Sequence, residues 1–318
     1  MSDNLNLHSP SVRWGEKRYH SLDFHLRSRF GEKVYRIALN GGMTCPNRDG
    51  HIGTGGCIFC SADGSGDFAG RPFLTISQQL AEGKMHLLTK RPVHSYIAYF
   101  QAFTNTYAPV SYLESIFTEA IEDPDVKILS VATRPDCLGD DVIDLLKRLN
   151  QIKPVWVELG LQTIHPETVR FIRRGYETAI FDQAVQRLRG AGIEVIVHVI
   201  LYLPGETEEM MLKTIEYLNR CDIQGIKLQL LHILEGTDLA DIYREEHFYV
   251  PDMETYIRML GQCISHLRPD IVIHRLTGDG PKNLLIAPLW TGAKRSVLNR
   301  LHQYLKENDI WQGKEYHG

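Results

Sequence analysis

Three cysteines, Cys45, Cys57 and Cys60, fall within the stretch CPNRDGHIGTGGCIFC at C-x11-C-x2-C spacing. Gly50, Gly53, Gly55 and Gly56 lie among them, with Gly42 before and Gly64 and Gly66 after, a density that neither helix nor strand tolerates. A loop of this kind is a ligand cradle. Thiolates suit zinc or the iron of an iron–sulfur cluster, and glycines let the backbone run close to a bulky inorganic centre with its N–H groups aimed at sulfur. Ligand count distinguishes the two. A structural zinc site closes with four protein ligands, and His51 would complete a Cys3His set, whereas three cysteines on a four-iron cube leave one iron open to chemistry. Spacing alone leaves both readings open.

The elements around the loop follow from periodicity. KVYRIALN, residues 33 to 40, alternates and ends at Gly41-Gly42, which predicts a first strand leading straight into the cysteine loop. Helix-like and strand-like stretches then take turns: helices near 75–89, 111–122, 140–150, 178–190 and 206–220, strands near 95–101, 127–133, 155–161, 194–201 and 226–231, and a helix over 253–266. Six strands separated by helices imply parallel βα units. Six units fall short of a closed eight-unit barrel, so the expected fold is α/β, a partial, open (β/α)6 barrel with a helical C-terminal extension. Its chemistry would sit at the C-terminal ends of the strands, where the cysteine loop begins. The expected divisions are a basic N-terminal arm over 1–30, the barrel over 31–270 and the extension over 271–318. Alternation in the fourth strand places Glu158 and Gly160 on one face and Trp156 between solvent and helix, and a buried glutamate there needs a partner. Residues 293–305 read as an amphipathic helix packing on the barrel, and residues 306–318 as a polar, frayed tail.

The cysteine loop resembles the cluster-binding loop of the radical S-adenosylmethionine (SAM) superfamily: Phe59 stands just before the last cysteine, and the motif follows the first predicted strand. The wide first gap resembles the branch that holds the catalytic subunit of Elongator. Within that branch the match is to the YhcC-like proteins, and it runs from the N-terminal arm to about Trp290. ATRPDCL (132–138), WVELGLQTIHPETVRFIRRGY (156–176), the Leu203-Pro204-Gly205 turn and His198 are similar to segments of the same branch. The resemblance implies a radical SAM enzyme in which Cys45, Cys57 and Cys60 hold a [4Fe–4S] cluster. SAM bound at the open iron would be cleaved, with an electron from a donor such as flavodoxin or ferredoxin, to a 5′-deoxyadenosyl radical. It implies SAM contacts from Glu158, Gln162 and His198, with Phe59 beside the cluster. Gln101, where relatives carry a glycine-containing turn, would serve through backbone carbonyls, and Ala132 stands where relatives place a ribose-binding glutamate. Further polar groups, Lys227, Gln229 and His232 on the sixth strand and His274, Arg275, Thr277 and Asp279 beyond it, would face substrate. Arg134 would either hold an anion or tie down its own loop through Asp136, and Cys137 is a candidate hydrogen donor or a small buried hydrophobe. The implied role is tRNA wobble-uridine modification; a small-molecule substrate and a zinc-stabilised RNA-binding protein are the alternatives. No acetyltransferase segment is recognised after the barrel.

Composition fits this picture. The chain of 318 residues has no apolar run of membrane-spanning length and no signal-peptide core, so it is expected in the cytoplasm, where Cys137, Cys221 and Cys263 would stay thiols. The formal charge of −4 hides an asymmetry: residues 1–50 hold eight Lys and Arg against five Asp and Glu, and residues 282–318 six against three. If Arg13, Lys17, Arg18, Arg27, Arg29 and Lys33 shared a face with Lys294, Arg295 and Arg300, they would meet RNA phosphates.

Overall fold

The computed structural model describes residues 14–64, 66–89, 93–278 and 280–318; Arg13 and Asp279 lie outside them. Among the described residues seven parallel strands form one curled sheet: β1 (Tyr35–Leu39), β2 (Tyr96–Phe100), β3 (Val126–Thr133), β4 (Val155–Gln162), β5 (Glu194–Leu201), β6 (Gly225–Leu230) and, after the short β7 (Ile233–Leu234), β8 (Val272–Arg275). They pair in chain order from β1 to β6 and then β8, and β7 makes a small antiparallel ladder with β9 (Leu285–Ala287). β1 and β8 are the edges and do not pair, so the barrel stays open. The helices are α1 (Leu22–Phe30), α2 (Ile76–Leu88), α3 (Val110–Glu122), α4 (Asp140–Asn150), α5 (Pro166–Phe171), α6 (Thr178–Gly190), α7 (Glu208–Asn219), α8 (Asp238–Glu246), α9 (Met253–His266) and α10 (Lys294–Glu307).

Strand alternation sorts the two faces. Outward residues such as Leu129, Val157, Val197 and Leu228 join Leu80, Phe117, Leu145, Phe181, Ile215 and Leu260 of the surrounding helices in one large apolar core. Inward residues form layers. The lowest, Val34, Ile97, Ile128, Trp156 and Ile196, is capped by Leu26 of α1, which plugs the N-terminal mouth of the half-barrel. Above it stand Arg36, Tyr99, Ser130, Glu158, His198 and Lys227. Local signals start the helices where they should: Thr75 and Gln78 make a reciprocal capping box on α2, and Thr207, Thr237 and Asp252 cap α7, α8 and α9.

The structure departs from the sequence expectations at four points. The strands of the half-barrel number seven rather than six, because Val272–Arg275 pairs in parallel with β6. Trp156 faces the barrel interior with Glu158 instead of the helix layer, and is buried; residues two apart in a strand share a face, so the indole had to follow the carboxylate. The tail is not frayed, since Gln312 is wholly buried. Nor do the basic ends form one open cationic face. Arg18 pairs with Asp309, Arg27 with Asp23, Arg29 with Glu194, and Arg300 with Glu254 and Glu307, while Lys17 and Lys294 do come together at one cavity. No helix among the described residues is long and apolar enough to cross a membrane.

Candidate active site

The loop between β1 and α2 closes on itself through turns. Ile52 N donates to Pro46 O at 2.7 Å, Gly56 N to Asn47 O at 2.7 Å, and Cys60 N to Cys57 O at 3.0 Å. Arg48 braces it from within: its guanidinium donates to the carbonyls of Cys60, Ser61 and Ala62 at 2.8, 2.6 and 3.1 Å. Gly56 (φ +74°) is required beside that side chain, because a Cβ there would stand 2.8 Å from Arg48 Nε. Buried Asn47 spans the loop and the barrel, with its amide donating to Arg173 O at 2.7 Å and resting 3.7 Å from Cys57 Sγ.

Cys45, Cys57 and Cys60 are free thiols, each half-buried, and all three line one cavity of about 270 Å³ at the C-terminal ends of the strands. Burial pushes the Cys57 thiol up to about 12, with the neighbouring Cys60 and Cys45 adding to the rise and Arg134 and Asn47 opposing it. Three neighbouring thiols become thiolates together only around a cationic centre, so the donor set fits a thiolate-ligated cluster. Among the described residues no three His, Cys, Asp or Glu side chains gather closely enough for a single metal ion, and His51 is exposed with its ring towards Tyr107. That arrangement does not assemble the closed Cys3His zinc site.

The cavity brings together all five residues singled out as cofactor contacts, Phe59, Gln101, Glu158, Gln162 and His198. They are not equally presented. Glu158 has a side-chain exposure of 0% and forms the floor: Oε1 accepts from Ser130 Oγ at 2.8 Å and lies 3.4 Å from Arg36, while Oε2 meets His198 Nε2 at 2.7 Å and is ion-paired to Lys227. Burial alone would raise its pKa, but Lys227, Arg36 and His198 outweigh it and hold the carboxyl well below its usual value. Lys227, also bonded to the Tyr99 hydroxyl at 3.1 Å, sits beneath the cavity rather than in its lining, unlike Gln229 and His232. Gln162 ends β4 with φ at 60°, left-handed backbone that an ordinary side chain adopts at some cost, and the β4–β5 register shifts there. Phe103 and Tyr202, after β2 and β5, share that left-handed backbone, so strain collects at the strand ends.

Arg134 ties down its own loop. Nε and Nη2 fork onto Asp136 at 2.9 and 2.7 Å, and Nη1 donates to Arg174 O at 2.9 Å. Cys137 lies outside the cavity lining, 3.7 Å from Asp136, and burial followed by that carboxylate pushes its thiol up to about 12. Arg275 lines the cavity, whereas Thr277 and His274 lie outside its lining, the His274 ring packing on Trp156 at 5.0 Å between centroids. Sequence reasoning missed Asn47, Arg48, Tyr99 and Arg174. Arg174 is buried and donates to the carbonyls of Thr163 and Tyr176 at 2.8 and 3.1 Å. A signal for it was present in the Arg-Arg-Gly-Tyr run that follows α5.

An open parallel half-barrel with three free thiols on the loop after its first strand defines a class, the radical SAM enzymes. The chain belongs to the radical SAM superfamily: that family's model matches residues 47–218, starting just after Cys45, and the Radical SAM C-terminal domain matches residues 223–307. The chain is 44% identical to protein YtqA of Bacillus subtilis over 94% of its own length and 93% of that protein's. It is 37% identical to protein YhcC of Escherichia coli, over 90% and 91%. A tRNA uridine(34) acetyltransferase of Methanocaldococcus jannaschii is 27% identical over 57% of this chain but only 33% of that enzyme. Among solved structures, archaeal Elp3 of Methanocaldococcus infernus superposes with a TM-score of 0.67 at 17% identity, covering 88% of this chain and 64% of that one, a likeness of fold. Membership implies a [4Fe–4S] cluster and SAM binding.

Proposed function

We propose that Cys45, Cys57 and Cys60 ligate the cluster, that SAM occupies the cavity between them and the strand ends, and that the enzyme modifies uridine 34 of tRNA. That Cys45, Cys57 and Cys60, none of them in a disulfide, line one cavity together with Glu158 and His198 carries the reading. Held by these residues, the cluster and SAM would supply one-electron, radical-generating chemistry. The chain's own residues orient and shield. Asn47 and Arg48 hold the cysteine loop in shape, and Phe59 packs on the apolar group of Ile58, Ile172 and Leu203 to wall one side from water. Gln101 offers its main-chain carbonyl and Gln162 its amide to the polar groups of SAM. His198, kept neutral with its Nε2 committed to Glu158, offers a positioned imidazole and no charge. Uridine 34 rests on the acetyltransferase relatives, and their acetyl transfer is not carried over because this chain spans a third of that enzyme. A small-molecule substrate is the second reading, favoured by the acidic partners that neutralise Arg18, Arg27, Arg29 and Arg300.

The test is anaerobic. Protein reconstituted with iron and sulfide, reduced and given SAM should release 5′-deoxyadenosine, and a triple Cys45→Ala, Cys57→Ala, Cys60→Ala variant should release none. Bulk tRNA should then stimulate turnover; turnover indifferent to tRNA moves the small-molecule reading forward. Stoichiometric zinc with SAM left intact would defeat the assignment of the cysteines.

A further inference from the structure

The half-barrel leaves β1 and β8 unpaired with each other, and the segment of residues 17–23 runs along the free edge of β8. Ile273 N donates to His20 O at 2.7 Å, and Ser21 bridges Ile273 in parallel. Between this segment, the two edge strands and the start of α10 lies a second cavity, of about 350 Å³. Its charged lining is weighted towards cations: Lys17, Arg36 and Arg275 against Asp23. Asp23 is already engaged, its Oδ2 accepting from Arg27 Nε at 3.0 Å and its Oδ1 lying 3.9 Å from Lys33.

The imbalance continues into the wall. Nε and Nη2 of Arg36 are buried without a hydrogen-bond partner. Its nearest carboxylate oxygen, Glu158 Oε1 at 3.4 Å, already accepts from Ser130, and the other oxygen serves Lys227 and His198. A single buried carboxylate thus stands among Arg36, Lys227 and Arg275, whose charges all bear on one another. Buried cations in excess of their counter-charges are costly, and an anion entering between them removes that cost. The Arg36 and Arg275 guanidiniums and the Lys17 ammonium in this lining suit the several acceptor oxygens of a phosphate better than the two of a carboxylate.

We propose that the cavity in the seam between β1 and β8 binds a phosphate group, carried either by the backbone of an RNA or by a small phosphate ester. Arg275 lines this cavity and the cysteine cavity alike, so a phosphate held here lies one guanidinium away from the cofactor site. The inference does not depend on what the cysteines bind.

Calorimetric titration of the full chain with inorganic phosphate, uridine 5′-monophosphate and bulk tRNA tests it without cluster or SAM, so its outcome is separate from that of the deoxyadenosine assay. Wild type should bind the two small phosphates saturably. Arg36→Gln should weaken them about tenfold and Lys17→Gln, on the 17–23 segment, about threefold; far-UV circular dichroism checks folding, and if Arg36→Gln does not fold, Lys17→Gln decides. Competition between tRNA and phosphate, or tRNA affinity reduced by the variants, identifies an RNA backbone as the source. Phosphate binding that tRNA does not disturb identifies a small ester. Phosphate binding equal in wild type and both variants, or no small-phosphate binding together with tRNA affinity unchanged by them, overturns the proposal.

Discussion

His198 and Glu158 settle each other's protonation. Burial and the Lys227 charge push His198 from 6.5 down to about 4, against the partial pull of Glu158. The folded protein therefore binds fewer protons at this site than the unfolded chain between those two values. The resulting stability is fully present above about pH 6.5 and is lost as pH falls towards 4. At about 1.4 kcal/mol per pH unit, roughly 2 kcal/mol should be gone by pH 5. Urea unfolding at pH 7 and pH 5 should show wild type losing about 2 kcal/mol more than His198→Asn, which cannot titrate. Equal losses in the two proteins would mean that His198 is not held neutral. Glu158 and His198 were singled out in the sequence because their segments resemble a known branch, and for Glu158 because a buried carboxylate in a strand needs a partner. Asn47, Arg48 and Arg174 were not. Their work is to donate to main-chain carbonyls, in the case of Asn47 to Arg173, 126 residues away, and no spacing encodes such a partner.

Elements were legible where both faces of a strand or one full stripe of a helix had to be apolar. The predicted bounds of β2 to β5 and of α2, α4, α6 and α9 match the structure to within a residue or two. Among the elements that escaped, β8 and α1 did so because their order comes from neighbours. β8 is four residues long, ends in His274 and Arg275, and is a strand only because β6 supplies a ladder. α1, LDFHLRSRF, has no apolar stripe and buries one side chain, Leu26, among its own residues. Leu26 is the centre of the plug: it is 2% exposed and packs into the layer containing Ile97, Ile128, Trp156 and Ile196, with Leu22 and Phe30 partly buried beside it. Leu26→Ala should cost about 2–5 kcal/mol in urea unfolding and shift the emission of nearby Trp156. A loss under about 0.5 kcal/mol, the size of an ordinary surface change, would show that α1 does not seal the barrel.

At the scale of the whole molecule, the described N-terminal arm and the C-terminal tail are joined to each other and to the turn before β8. Gln312 is 0% exposed. Its amide donates to the carbonyls of Arg268 and Ile271 at 2.8 Å each, its carbonyl accepts from His20 N at 2.8 Å, and its own N donates to Arg18 O at 2.9 Å. One side chain thereby links the N-terminal arm, the turn before β8 and the C-terminal tail. The polar composition of residues 306–318 reads as a frayed end because composition reports the cost of burying polar groups and not whether backbone partners meet them. Gln312→Leu keeps the volume and strands an N–H and two carbonyls, so it should cost about 3 kcal/mol. Gln312→Glu keeps the acceptor for His20 but points carboxylate oxygen at two carbonyls, and should cost more. Amide exchange separates a latch from a local packing fault: Ile273, whose N–H is held by His20 O, should lose protection in Gln312→Leu while central β4 amides such as Val157 follow only the global change. A frayed tail would leave both variants within about 0.5 kcal/mol of wild type and Ile273 protected. The seam cavity depends on the same latch, because Lys17 is placed by the arm that Gln312 holds, so phosphate affinity should fall with the protection of Ile273.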